Sequence, residues 1–168
     1  MIQGGGGLGE MAGGAVNLGG RGGNAGTGVK CQGNYIKAVG EQNARGGSLY
    51  FQGGTTANSV DKTLVYGNRI ITTDGAAHGG GIYVAGGNFE LTGSSIEKNT
   101  AKSNSNSLGG GIYYGGNGEL TLTNSSIVNN SLTTNQLYTA AYGSAIYAST
   151  SGVNAVVNLV AEEGKVKD

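Results

Sequence analysis

The sequence predicts an all-β fold, a right-handed single-stranded parallel β-helix (β-solenoid) of about four to five coils. A glycine-rich motif occurs five times, at steps of 30 to 34 residues. Each unit also carries short apolar segments that alternate with polar residues, and no segment has the apolar periodicity of a helix. A constant period of this size is typical of repeat proteins, whose units stack to bury one continuous core.

The repeated motif is a run of glycines or other small residues followed by two apolar residues that flank a third residue. Its third copy, residues 79–84, reads Gly-Gly-Gly-Ile-Tyr-Val. Because side chains alternate along a strand, the two apolar residues face one side and the residue between them faces the other. Stacked coils align the apolar residues in two inward ladders. These ladders are Val16, Leu49, Ile82, Ile112 and Ile146, and Leu18, Phe51, Val84, Tyr114 and Ala148.

Two further strand-like segments follow the motif. In the third unit they are residues 89–92 and 94–96, and in the fourth unit they are residues 119–123 and 125–127. They alternate apolar with polar residues and favour β-branched or aromatic types, which indicates strands. Together with the motif they predict three short strands per coil. A third inward ladder is predicted for Val65, Ile96 and Ile127.

An asparagine recurs at the end of these units. Asn68, Asn99 and Asn130 each lie three residues after the last inward apolar residue, and successive members are 31 residues apart. Asparagine tolerates the left-handed backbone of a tight corner, and stacked asparagines bond to the same amide above and below. The spacing therefore predicts a structural asparagine ladder.

The chain divides into a glycine-rich lead-in over residues 1–12, a parallel β-helix over 13–160 and a charged tail over 161–168. The polar segments 100–108 and 131–142 are expected to be loops on one edge of the solenoid, where recognition is commonly added. The N-terminus lacks the basic start and apolar middle of a secretory signal. Either the protein is not exported by that route, or this is a portion of a longer chain.

Composition excludes several classes of partner and site. Ten basic and ten acidic residues leave no electrostatic footprint for nucleic acid or an anionic membrane. The apolar runs fall far short of the roughly 20 residues that span a bilayer. A single cysteine, Cys31, rules out an internal disulfide framework, and we expect it on or near a strand. No metal-ligand spacing or phosphate loop is present, so no metal or cofactor is predicted.

Four tyrosines occupy the middle position of the motif. Tyr50, Tyr83, Tyr113 and Tyr147 share one register, and strand alternation is expected to send all four outward as an exposed column. One interpretation is structural, because stacked rings stiffen a sheet. The other is a flat aromatic platform that binds a glycan or a partner protein, since a ring face with a hydroxyl group is favoured at interfaces.

Catalytic groups are sparse. Polysaccharide lyases and hydrolases also use the parallel β-helix, and they need paired carboxylates, or a carboxylate with Arg or Lys, on one face. Glu90 and Glu119 share a Gly-Gly-Asn-x-Glu-Leu-Thr setting and are expected to point outward as neighbours across coils. His78 is the only histidine and has no Ser or Cys partner in a recognisable motif. We therefore predict no catalytic residues and a non-enzymatic protein.

The glycine motif and the later asparagine element resemble the right-handed parallel β-helix repeats of bacterial surface proteins. The similarity is to polymorphic outer membrane protein repeats and autotransporter passenger domains. Residues 80–82 with 96–99, and residues 110–112 with 127–130, carry the match, which extends over about residues 13–148. The resemblance implies an exported adhesin or surface-display stalk in an extracellular or cell-surface setting.

Three functions follow as hypotheses. The first is an adhesin or stalk module that binds a glycan or host surface protein through its outer face and loops. The second is a subunit that stacks head to tail into an extracellular filament, since an uncapped coil exposes strand edges to identical chains. The third is a polysaccharide lyase or hydrolase. Neighbouring coils of the same or an identical chain are the expected packing partners.

Overall fold

The chain folds into a parallel β-solenoid. The computed structural model describes residues 2–4, 10–12, 14, 16–18, 25–52, 57–135, 139–149 and 156–160. Their regular structure consists of 24 β-strands, and every strand pair between them is parallel. Within these ranges no helix is long and apolar enough to cross a membrane. The predicted all-β solenoid is confirmed.

Each coil runs through up to five strands, one in each of five sheets that we name A to E in chain order. The first coil contains β1 Ile2–Gly4, β2 Glu10–Ala12, β3 Val16–Leu18, β4 Ala25–Thr27 and β5 Lys30–Gln32. The second contains β6 Tyr35–Ala38, β7 Asn43–Arg45, β8 Leu49–Phe51, β9 Asn58–Asp61 and β10 Leu64–Tyr66. The third contains β11 Arg69–Thr72, β12 Ala77–His78, β13 Ile82–Val84, β14 Phe89–Thr92 and β15 Ser95–Glu97.

The remaining strands complete the stack. The fourth coil contains β16 Thr100–Ser103, β17 Ser107–Leu108, β18 Ile112–Tyr114, β19 Glu119–Thr123 and β20 Ser126–Val128. The fifth contains β21 Ser131–Thr134, β22 Ala141–Tyr142, β23 Ile146–Ala148 and β24 Val156–Val160. Sheets A to D therefore each have five strands, and sheet E has four among the described residues.

The three strands predicted for each coil are those of sheets C, D and E. Sheets A and B were not predicted, and the expectation that segments 100–108 and 131–142 are loops is wrong for the strands they contain. Their sequences are polar, but their inward residues are small and fully buried, as Ala101 and Ser103 show. They pack into a second, smaller core of Ile36, Ala38, Ala44, Ile70, Ala77 and Ala101.

Strand pairing also begins before residue 13. β1 and β2 lie within the expected lead-in, and they pair in parallel with β6 and β7. The charged tail expected over residues 161–168 lies outside the described residues.

The larger core fills the space between sheets C, D and E. Its ladders follow the predicted register: Ile82 lies between Leu49 and Ile112 on neighbouring strands, and Val65 lies between Cys31 and Ile96. The interior rungs of these ladders are at most a few per cent exposed. Cys31 is buried in β5 with a free thiol, as expected for a small strand residue.

Tyr114 is the one tyrosine of the motif that points inward. It continues the ladder of Phe51 and Val84 and is fully buried. Its hydroxyl donates to the carbonyl oxygen of Gly87 at 2.7 Å, which satisfies the polar end of a buried ring. Burial raises the pKa of this phenol, and the charge of Glu119 adds to the effect.

The asparagine ladder is confirmed, and Asn34 extends it by one rung. The backbone N–H and the Nδ2 amide of Asn68 both donate to Oδ1 of Asn99, at 3.0 and 2.9 Å. Asn99 makes the same two bonds to Asn130, both at 2.9 Å. Asn34 makes them to Asn68. Each rung therefore ties one coil to the next through a side chain as well as the backbone.

The Nδ2 amides of Asn68, Asn99 and Asn130 also bind the coil below. Nδ2 of Asn99 donates to the carbonyl of Val65 at 3.0 Å, and Nδ2 of Asn130 donates to that of Ile96 at 2.8 Å. Asn99 is fully buried, and these bonds satisfy both of its amide hydrogens and its oxygen. The ladder thus stabilises the corner between sheets E and A without leaving an interior rung unpaired.

The left-handed backbone at this corner lies one residue earlier than expected. Gly67, Lys98 and Asn129 have φ values of 64°, 53° and 55°, and the ladder residues that follow them do not have positive φ. The turn is made before the asparagine, so the asparagine side chain points inward toward the ladder. Its amide chemistry, rather than a tolerance of left-handed backbone, explains why asparagine occupies the position.

The glycine motif forms the corner between sheets B and C. Its first glycine has positive φ, as at Gly79 (68°) and Gly109 (68°), which favours glycine. Its second glycine lies against the next coil: a Cβ at Gly80 would approach the carbonyl oxygen of Gly110 more closely than 3.0 Å, a separation that real Cβ atoms essentially never show. Glycine is needed here because the coils stack too closely for any side chain.

Replacing Gly80 by alanine is expected to lower the unfolding free energy by about 1–3 kcal/mol or more, because the added methyl group forces the two coils apart at the corner. Gly86→Ala is the matched control, since a Cβ at Gly86 has nothing within 4 Å. Denaturant unfolding of both variants measures the difference. Equal midpoints for the two variants would contradict the close approach of the coils.

Asn99→Asp is expected to destabilise the protein by about 3 kcal/mol at neutral pH, since a carboxylate oxygen replaces the amide that donates to Val65 and Asn130 and places a buried negative charge against their two oxygens. The loss should shrink in acid, where the protonated carboxyl regains a donor. Asn104→Asp serves as control, because Asn104 only accepts, from Nδ2 of Asn135 at 3.1 Å on the surface. Thermal unfolding at several pH values tests this prediction. If the loss of stability does not depend on pH, the Nδ2 amide of Asn99 does not act as a donor in the ladder.

Candidate functional site

The outward side chains of sheets B and C meet across the glycine corner. On sheet B, the column that faces outward is formed by the residue directly before each glycine motif. On sheet C, it is formed by the motif tyrosines. We call the two columns together the aromatic surface. Its sheet-C members are Tyr50, Tyr83, Tyr113 and Tyr147, and its sheet-B members are Arg45, His78, Leu108 and Tyr142.

The tyrosine column predicted from the sequence is a continuous ring stack. Tyr50 and Tyr83 have centroids 5.1 Å apart and an interplanar angle of 3°. Tyr83 and Tyr113 are 4.8 Å apart at 5°, and Tyr113 and Tyr147 are 5.4 Å apart at 26°. These spacings follow the distance between neighbouring strands, so the stack is a direct consequence of coil register.

The expectation that all four tyrosines are exposed is wrong for two of them. Tyr50 is 9% exposed and Tyr83 is 7% exposed, whereas Tyr113 and Tyr147 are half-buried. All four point away from the core, but the rings above and below cover the faces of each inner ring. Sheet-B side chains cover them further, since the Arg45 guanidinium carbon lies 5.2 Å from the centroid of Tyr83.

Side chains of sheet B are offset by about one coil from the tyrosines. His78 lies in the same coil as Tyr83, but its ring centroid is 4.7 Å from that of Tyr113 and 6.4 Å from that of Tyr83. Arg45, from the coil of Tyr50, stands over Tyr83 in the same way. Each of these two residues therefore covers the tyrosine of the following coil.

The accessible part of the aromatic surface is its C-terminal end. Tyr142 comes from the last described coil, and no tyrosine of a following coil lies within the described ranges for it to cover. It is 61% exposed, beside the half-buried Tyr147. Sequence reasoning missed Tyr142, although a signal existed: like His78, it stands directly before a glycine motif.

The aromatic surface carries little charge. Burial, together with a smaller effect of the positive charge of Arg45, lowers the pKa of His78 from 6.5 to about 4. The imidazole is therefore neutral at physiological pH. Its Nδ1 atom is buried without a hydrogen-bond partner, a site where a proton, and with it a charge, is unfavourable. Arg45 is the only member of this surface that is charged at pH 7.

Glu90 and Glu119 are not direct neighbours, so the expectation that they pair across coils is wrong. Glu90 lies opposite Thr121, and Glu119 lies opposite Val156. Register here is set by the inward residues, because Phe89 aligns with Leu120 and Leu91 with Leu122. The Gly-Gly-Asn-x-Glu-Leu-Thr motif that the two segments share is therefore out of register between the two coils. Across the described part of the chain, no group of His, Cys, Asp or Glu is placed to hold a metal ion.

Wild-type protein is expected to lose stability, relative to His78→Phe, as the pH falls from 6.5 toward 4. A histidine whose pKa is lowered by folding contributes stability that is present above the unfolded pKa of 6.5 and lost as pH falls toward the folded value of about 4. The difference reaches at most about 3 kcal/mol. Phenylalanine keeps a ring against Tyr113 but does not titrate. The carboxylates contribute equally to the pH dependence of both proteins, so the difference between them reports His78 alone. Unfolding free energies that change equally with pH in the two proteins would contradict the burial of His78.

Comparison with known proteins is negative at every level, since no protein-family model, no curated protein and no solved structure matches the chain. The solenoid assignment therefore rests on the strand pairing itself. What the aromatic surface does has to be argued from its shape, charge and exposure.

Proposed function

We propose that the chain is a non-enzymatic binding module of an extracellular surface protein, an adhesin or stalk, and that it binds a glycan through the aromatic surface. The observation that carries this proposal is the rigid row of stacked tyrosines that ends in the exposed Tyr142. Tyrosine combines a flat apolar face, which packs against the C–H face of a sugar ring, with a hydroxyl group that bonds to sugar hydroxyls.

The binding site lies at the C-terminal end of the column. Tyr113, Tyr147 and Tyr142 present the accessible ring area there. The buried Tyr50 and Tyr83 support them from below, so the rings are ordered before a ligand arrives and less entropy is lost on binding. Of the four tyrosines predicted from the sequence, Tyr113 and Tyr147 remain candidates for ligand contact, and Tyr142 joins them.

The ligand class follows from the charge of the surface. His78 is neutral at physiological pH, and Arg45 stands at the buried end, over Tyr83. Neutral sugar units fit the uncharged accessible end better than an acidic or basic peptide does. A host protein that presents an apolar or aromatic patch is the competing partner.

An extracellular or cell-surface location is supported by the resemblance of residues 80–82 and 96–99 to bacterial surface-protein repeats. A solenoid also suits such a role, because its coils form a rod that holds a binding face away from a cell surface. The lyase or hydrolase hypothesis gains no support from a directly opposed carboxylate pair, because Glu90 lies opposite Thr121 and not opposite Glu119.

The double variant Tyr142→Ala, Tyr147→Ala is expected to weaken glycan binding by about tenfold or more, equivalent to about 1.4 kcal/mol. A glycan array identifies the ligand first, with a host-protein array in parallel, and calorimetry with the best glycan then measures the affinity of each variant. Tyr66→Ala is the matched control, since Tyr66 is an outward tyrosine of sheet E that bonds to Lys98.

Three results would contradict the proposal. Equal affinities of the double variant and wild type would place the site elsewhere. Binding to the protein array alone would show that the partner is a protein and not a glycan. Shortened glycan products after incubation would identify an enzyme instead of a binding module.

A further inference from the structure

The glycine motif changes at the last coil. In the first four coils its second position is glycine, at Gly14, Gly47, Gly80 and Gly110, and in the fifth coil it is Ser144. A Cβ added at any of the four glycines would approach the carbonyl oxygen of the equivalent residue in the following coil more closely than 3.0 Å. The oxygen opposite Gly110 is that of Ser144 itself.

Backbone hydrogen bonds fix this close approach. The N–H of the second glycine donates to the carbonyl of the following coil's first glycine: Gly47 to Gly79 at 2.9 Å, and Gly80 to Gly109 at 3.0 Å. A coil that makes this bond cannot move away to make room for a side chain. The conflict therefore belongs to stacking itself and recurs wherever one coil is followed by another in the same register.

The third position of the motif is less strictly limited to glycine. A Cβ at Gly81 or Gly111 would also approach the carbonyl oxygen of the following coil more closely than 3.0 Å, yet Ser48 occupies this position in the interior of the stack and is fully buried. The stack therefore accommodates a side chain at the third position, as in Ala145. At the second position every coil before Ser144 has glycine.

A head-to-tail arrangement would place the first coil of a second copy on the last coil of the first copy. In the register of this stack, the carbonyl oxygen of the second copy's Gly14 would then take the place that the Ser144 oxygen has above Gly110. It would lie against Cβ of Ser144, a real side chain rather than a glycine. The corner could close only by losing its backbone hydrogen bond or by shifting the incoming coil.

We infer that Ser144 closes the C-terminal end of the stack to another copy of this chain, so that copies do not grow into a filament by in-register coil addition. The exposed strand edges of the last described coil would otherwise be a template for an identical chain. A single hydroxymethyl group at the B–C corner prevents the addition.

The test compares self-association of wild type, Ser144→Gly and Ala145→Gly by sedimentation velocity over a range of protein concentrations. Wild type and Ala145→Gly are expected to remain monomeric. Ser144→Gly, which restores the interior motif, is expected to form larger species as concentration rises, visible as short rods in negative stain. Circular dichroism and the unfolding midpoint confirm that each variant is folded.

Each other outcome overturns the inference. Wild type that assembles into coaxial rods shows that the end is open despite Ser144. Ser144→Gly that is folded and stays monomeric shows that this side chain is not what closes the end. Equal association of both variants shows that the effect is not specific to the second motif position. None of these measurements involves a glycan, so they are independent of the binding proposal.

Discussion

Close stacking of successive coils is the constraint on which the rest of the structure depends. Parallel strands lie about 4.8 Å apart, and the sheet B–C corner must keep that distance without losing its backbone hydrogen bonds. The second glycine of the motif makes this possible, since a Cβ at Gly47, Gly80 or Gly110 would collide with the next coil. At the described B–C corners, glycine is therefore a packing requirement.

Once the coils share a register, like residues lie over like residues. For Ile82 and its neighbours the result is a dry core ladder, and for Asn99 it is a column of amides that bond upward and downward. For Tyr83 it is a ring stack on the outer face. Three chemically different ladders thus have one geometric cause, and each adds stability to contacts that are remote in sequence but adjacent in space.

The same stacking determines where the outer face can act. Interior tyrosines are covered by the rings on either side and by sheet-B side chains, so Tyr83 supports its neighbours and presents little area to a ligand. Within the described residues this cover stops at the fifth coil, where Tyr142 is open to solvent. The end of the stack combines the accessible aromatic area with Ser144, the residue that keeps another copy from covering it.

The sequence by itself determined the coil length, sheets C to E, the inward ladders and the asparagine column, because these features recur as local patterns at a fixed period. Sheets A and B were not predicted, although sheet A has the apolar residues Ile36 and Ile70 at buried positions of its strands. In the fourth coil, Ala101 and Ser103 carry little apolar signal and form a strand through pairing with the coils around them. Tertiary structure alone decided which tyrosines are accessible and that Glu90 lies opposite Thr121 and not opposite Glu119. Burial and register at those positions depend on side chains from other coils, which alternation along a single strand does not contain.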